Sequence, residues 1–122
     1  MARTAVLGFP RIGADRELKA ALEEHWAGRS TTHELQATAR ELRARHLRSG
    51  EQAGIDLLPV GDFALYDHVL DSAEAVGIVA ERHGGAEAGG LAAHFLACRG
   101  AEGVTPLEMT KWFDTNYHYL VP

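Results

Sequence analysis

Two groups of side chains carry most of the chemistry this sequence could perform. Arg16 and Lys19 stand three positions apart at the start of a helical pattern, and Lys111 precedes the polar run Asp114, Thr115, Asn116. Cations at a helix start are mildly unfavourable, because the helix dipole already places partial positive charge there, but the same arrangement suits carboxylate capture. Polar groups on a loop beside a rigid element are likewise a common setting for binding. Each group also has a plainer reading. Arg16 can be tolerated as a small defect, Lys111 can be a solvated surface lysine, and Trp112, Phe113, Tyr117 and Tyr119 can be core residues.

Other chemistries find less support. Gly8 and Gly13 frame a loop between an apolar run and a helix, but Ala14-Asp15 follow where a phosphate-binding loop carries Lys-Ser or Lys-Thr. Asp67, His68 and Asp71 could share one helical face and hold a metal ion, yet they offer a single nitrogen and no fourth ligand, so a surface hydrogen bond is the favoured reading. Cys98 is the sole cysteine and lies among His94, Phe95, Leu96 and Ala97. It reads as a buried, inert thiol with no CxxC or zinc-spaced partner.

The elements that must position these residues alternate between strand and helix. Thr4 to Phe9 suits a buried parallel strand. Asp15 is a plausible N-cap for a helix with Leu18, Ala21, Leu22 and Trp26 on one face, closed by Gly28. The string Thr31-Thr32-His33-Glu34 is a capping box opening a second helix, with Leu35, Ala39, Leu42 and Leu47 inward and an end near Gly54. Arg40, Arg43, Arg45 and Arg48 interleave with Glu34, Glu41 and Glu51, which predicts a solvated, partly ion-paired face. Ile55 to Val60 is the next strand, and a helix is expected from Phe63 to Gly77. Glu81 to Gly90, with four glycines and no period, reads as a mobile loop. Leu91 to Arg99 is a short helix closed by Gly100. Leu107, Met109 and Thr110 then read as the end of a helix or turn, with Tyr117 to Val121 as the third strand.

Bulk properties bound the class. A chain of 122 residues without linker or repeat reads as one modest domain, and a formal charge of −5 gives no basic excess for nucleic acid. The apolar run before Pro10 is too short for a secretory signal or a membrane span, so a cytoplasmic protein is expected.

Three strings, VLGFPRIGADRELKAAL (Val6 to Leu22), GIDLLPVGDFALYDHVLD (Gly54 to Asp71) and MTKWFDTNYHYLVP (Met109 to Pro122), resemble the N-terminal part of cobalamin-independent methionine synthase. That resemblance implies an α/β fold, a partial (β/α)8 (TIM) barrel of about three parallel strands with flanking helices. Residues 1–122 would be the opening segment of the family's N-terminal barrel. The family moves a methyl group from 5-methyltetrahydropteroyltriglutamate to homocysteine, with zinc activating the thiol. Arg16, Glu17, Leu18 and Lys19, with Lys111, match segments associated with the folate substrate. Arg16 would hold one carboxylate of its triglutamate tail through paired hydrogen bonds, Lys19 and Lys111 would act as point charges, and Asn116 would add an amide contact.

The family's zinc ligands (two cysteines, a histidine and a glutamate) and its catalytic histidine belong to a C-terminal barrel. No catalytic residue and no bound zinc are therefore expected in this chain, which should be inactive alone. The expected partners are the folate substrate and either the remaining barrel or further copies meeting at exposed strand edges, with neither nucleic acid nor membrane. The alternative reading is a stand-alone, self-associating α/β assembly or a polyglutamate-binding module without catalysis.

Overall fold

The computed structural model describes residues 1–84 and 89–122, which form two compact units, 1–65 and 66–122. No composition shift marks that boundary, which falls inside one of the three strings above. In order, the elements are α1 (Glu17–Trp26), α2 (Thr32–Gln52), α3 (His68–Ala75), a 3-10 turn (Glu81–His83), α4 (Leu91–Arg99), β1 (Met109–Lys111) and β2 (His118–Leu120).

In the first unit α1 packs on α2 with Leu18, Leu22, Leu35, Ala39 and Leu42 buried as expected, whereas Leu47, expected inward, is 37% exposed. The capping box forms as read: Thr31 accepts from the Glu34 N–H, and the Glu34 carboxylate accepts from the Thr31 N–H. α1 departs from expectation. Its N-cap is Arg16, in the left-handed region at φ 60°, and not Asp15. The Glu17 carboxylate reaches back to accept from the Asp15 N–H, and the Leu18 N–H donates to the Ile12 carbonyl, so the preceding turn meets this end without an Asp cap.

The predicted strands 4–9 and 55–60 lie parallel but are joined by a single bridge, Ala5 to Leu57. Side chains take the places of ladder partners. The Thr4 N–H donates to Asp56 Oδ2, the Asp56 N–H to Thr4 Oγ1, and the Phe9 N–H to Asp62 Oδ2. The buried helical Gly50 leaves room for Leu58, whose Cδ2 lies 2.3 Å from where a Cβ would stand.

The second unit corrects the third parallel strand. β2 pairs antiparallel with β1, in register Met109 to Leu120 and Lys111 to His118, so 109–111 is a strand and not a helix end. Three parallel strands are therefore not found among the described residues, where the structure is helical with one small antiparallel sheet and one parallel bridge. α3 begins at His68 and not near Phe63, because Asp67 caps it by accepting from the Leu70 N–H. Leu70, Ala97, Cys98, Leu107 and Leu120 form this unit's core, with Cys98 6% exposed as its apolar setting predicted. Within the predicted loop 81–90, the 3-10 turn orders 81–83 and buries His83, whose Nε2 lies 2.8 Å from the Thr105 carbonyl oxygen; residues 85–88 lie outside the described residues. No helix among the described residues is long and apolar enough to cross a membrane.

Candidate functional site

The predicted site residues fall on two separate pieces of structure, one in each unit. In the first, Arg16 and Lys19 are exposed, Glu17 is half-buried and Leu18 is fully buried at 0%. The string thus divides by role: Leu18 packs the helix pair, while Arg16 and Lys19 face solvent. Lys19 lies 3.5 Å from Glu23 one turn along α1, an exposed pair that leaves the ammonium accessible. No carboxylate stands within ion-pair distance of Arg16 among the described residues. Its left-handed backbone sets the guanidinium at the helix entrance and not within the first turn and a half.

Glu17 supplies what the sequence alone did not show. Its carboxylate is held below its ordinary value by its own backbone N–H first, then by Arg45, with the Asp15 N–H adding to both. Gly13, at φ 88°, makes room for it, since a Cβ there would stand 2.0 Å from Glu17 Oε2. The helix start therefore already holds an internal carboxylate, ion-paired to Arg45 on α2. This fits the dipole logic that places anions at a helix N-terminus. Sequence periodicity could not reveal it, because Arg45 lies 28 positions away.

A further feature of this unit went unread in the sequence. At the carboxyl ends of the two parallel segments lies a cavity of about 250 Å³, lined among others by Phe9, Arg43, His46, Asp62 and Phe63. Phe9 stacks on His46 with centroids 5.2 Å apart, and the Arg43 guanidinium lies 5.5 Å from the Phe63 ring centroid. The Gly61-Asp62 turn after an apolar run was the available signal, since α/β folds gather ligands beyond the carboxyl ends of their strands.

In the second unit Lys111 ends β1 and is exposed, and Asn116 is exposed in the connecting loop. Thr115 shapes that loop. Its hydroxyl donates to the Trp112 carbonyl and accepts from the Tyr117 N–H, while the Trp112 N–H donates to the Tyr117 carbonyl. Trp112, Phe113 and Tyr117 are 49, 79 and 43% exposed, which removes the reading of these three as core. Trp112 and Tyr117, with His68 and Val69, instead line a recess of about 380 Å³. Lys111 and Asn116 are the chain neighbours of its two aromatic walls.

The trio Asp67, His68 and Asp71 does not converge. Asp67 is spent on capping, and His68 Nδ1 is hydrogen-bonded to the Tyr117 hydroxyl at 2.6 Å, the surface hydrogen bond favoured from sequence. Asp71 instead meets Glu74 and the buried His94. The thiolate zinc centre implied by the resemblance requires two cysteines, whereas this sequence has Cys98 alone, buried in the core. The residues present do not fit that centre, and no step of a zinc-dependent reaction is assigned to them.

Each unit thus carries exposed cations, Arg16 and Lys19 at a helix entrance in one and Lys111 on a hairpin in the other, on a mixed helical and strand fold. The chain belongs to the cobalamin-independent synthase family, whose N-terminal domain profile matches residues 3–122. It is 57% identical over 121 residues to a 5-methyltetrahydropteroyltriglutamate–homocysteine methyltransferase of Xylella fastidiosa (strain M23), covering 95% of this chain and 16% of that protein. It is 54% identical over 122 residues to the protein so named from Streptomyces coelicolor, covering 99% and 16%. The counterpart from Nitratidesulfovibrio vulgaris is 52% identical over 124 residues, covering 98% and 16%. The chain thus spans about a sixth of the length of these curated relatives.

Proposed function

We propose that this chain is the opening segment of a methyltransferase that moves a methyl group from 5-methyltetrahydropteroyltriglutamate to homocysteine, and that its contribution is to hold the triglutamate tail. The observation that carries this reading is the family match across 3–122. The segment belongs to an N-terminal (β/α)8 barrel, and the parallel bridge between 4–9 and 55–60 is consistent with that parentage. Exposed Arg16 forms paired hydrogen bonds with one tail carboxylate, and Lys19 and Lys111 attract others as point charges. Asn116 contributes an amide. Glu17 does not touch the anionic tail favourably; held by Arg45, it keeps the helix entrance shaped around Gly13 and sets the local charge against which the tail competes.

The test is calorimetric titration of the chain with methylfolate triglutamate and, separately, the monoglutamate. The triglutamate binds more tightly, and Arg16→Ala and Lys111→Ala each weaken it while leaving the monoglutamate unchanged. Equal affinity for both ligands, or indifference to both substitutions, would refute tail binding. The same chain, assayed with homocysteine, gives no methionine above background.

A second reading is favoured by Leu7 and Val60, which are 100 and 93% exposed on the two parallel segments. Apolar side chains so placed suit contact with further barrel strands or with another copy of the chain. Gel filtration across a concentration range separates the two: concentration-dependent growth marks self-association, and a constant monomer excludes it.

A further inference from the structure

The structure assigns a second candidate site to α3 and α4, built from residues that take no part in the proposed hold on the folate tail. We propose that His94, Asp71 and Glu74 bind a divalent transition-metal ion such as zinc, with His94 Nε2 and the Asp71 carboxylate as ligands and Glu74 fixing the imidazole.

The case rests on an unanswered lone pair. His94 lies one turn before Ala97 and Cys98, on the buried face of α4, and its side chain is 8% exposed. Nδ1 stands 3.0 and 3.1 Å from the two Glu74 oxygens. An ionised carboxylate only accepts, so Nδ1 must carry the proton and donate it. In the neutral ring Nε2 is then an acceptor, and it has no hydrogen-bond partner. What faces it is another acceptor, Asp71 Oδ1, at 3.8 Å. The buried Nε2 is the group left unanswered, and it faces a carboxylate oxygen on the open side of the helix pair. A cation between the two, a proton on Nε2 or a metal ion, would answer it.

The geometry suits the metal. Candidate ligand atoms from all three residues lie within 4.8 Å of one another. Two donors bound tetrahedrally to zinc stand roughly 3.3 Å apart, so closing the gap needs only about half an ångström of side-chain adjustment. A ligating histidine that donates its other N–H to a carboxylate is the usual way a metal site fixes tautomer and ring orientation, and Glu74 occupies that place. Asp71 and Glu74 are 39 and 32% exposed, so the site opens to solvent, from which water completes the coordination. An imidazole nitrogen with carboxylate oxygen selects zinc, cobalt or nickel over magnesium or calcium. Because Asp71 is on α3 and His94 on α4, the ion would clip the two helices together.

Titration of the tag-free, chelator-treated chain with zinc, followed by calorimetry and by cobalt(II) absorption, tests this. One ion per chain is expected, with a raised melting temperature. Asp71→Asn should weaken binding at least about tenfold, Glu74→Gln should weaken it by about ten- to a hundredfold, and His33→Ala, an exposed histidine elsewhere, should leave it unchanged. Nitrogen-15 spectra of the histidine rings should show Nε2 of His94 shifting on zinc addition. Unchanged affinity in Asp71→Asn, or an Nε2 that stays protonated when zinc is present, would overturn the proposal in favour of a simple imidazolium held by two carboxylates. Asp71→Asn lies on the partly exposed rim, so this comparison remains decisive even if replacing His94 unfolds the chain.

Discussion

The Glu17 carboxylate joins the start of α1 to Arg45 on α2, a pairing that crosses 28 positions of sequence. Its own backbone N–H, Arg45 and the Asp15 N–H together hold it below the ordinary value of 4.5. A depressed folded-state value means that the stabilisation is present above the unfolded value and is lost as pH falls through the folded one. Glu34 at the capping box and Asp56 at Thr4 shift in the same direction, chiefly through backbone N–H bonds. Urea denaturation from about pH 7 down to about pH 3 should show stability falling with acid, and Glu17→Gln should flatten the part of that fall below pH 4.5. An acid limb identical in the variant would show that Glu17 is not one of its causes.

Gly13 should resist substitution. Its backbone sits at φ 88°, and a methyl group there would collide with Glu17 Oε2 and with Leu42 Cδ2, 2.8 Å away. The left-handed backbone alone costs a non-glycine residue roughly 1–3 kcal/mol. Gly13→Ala is therefore expected to lower the urea midpoint by more than Gly28→Ala, which meets the same backbone penalty with nothing within 4 Å.

Leu18 separates packing from binding. With no exposed surface, it cannot touch a ligand, although it sits between Arg16 and Lys19. Leu18→Ala should cost about 2–5 kcal/mol of stability. Any loss of triglutamate binding in that variant should follow the folded fraction measured by circular dichroism, with unchanged affinity in the molecules that remain folded.

Asp67 serves two backbone donors at once, the Leu70 N–H at 2.9 Å and the Leu120 N–H at 3.3 Å, and so ties α3 to β2. Asp67→Ala strands both donors in a buried setting and should destabilise by about 1–3 kcal/mol. Asp67→Asn keeps an acceptor oxygen and should recover part of that loss. Chemical denaturation of both variants makes the comparison, and equal losses would show that acceptor geometry is not what matters.

What could be read from the chain was local and periodic. Leu18, Leu22, Leu35, Ala39 and Leu42 declared the α1 and α2 faces, and Thr31 with Glu34 declared the cap, because each depends on neighbours within four positions. What escaped depended on distant partners. Arg16 was placed inside the helix because nothing nearby in sequence shows that Glu17 satisfies the turn before it. The strands 4–9 and 55–60 had the right composition, yet Asp56 and Asp62 took up backbone donors that composition would have given to a ladder. β1 was missed because Met109, Thr110 and Lys111 lack the β-branched and aromatic pattern and form a strand by pairing with 118–120. In the second unit the sequence grouped Asp71 with Asp67 and His68. Its real neighbour across the helix pair, His94, lies 23 positions on, beyond any spacing rule for one helix.

The vacancy at Gly50 ties α2 to the segment that follows it. A hollow that admits the tip of Leu58 and passes close to Phe9 exists only once that part of α2 is wound, because an unwound chain presents no such surface. Helix and extended segments are therefore matched to one another at this point, the one supplying the seat and the other the side chain that fills it. Filling the hollow with a methyl group would favour the helix locally while displacing Leu58, trading helix propensity against the docking of the extended segment.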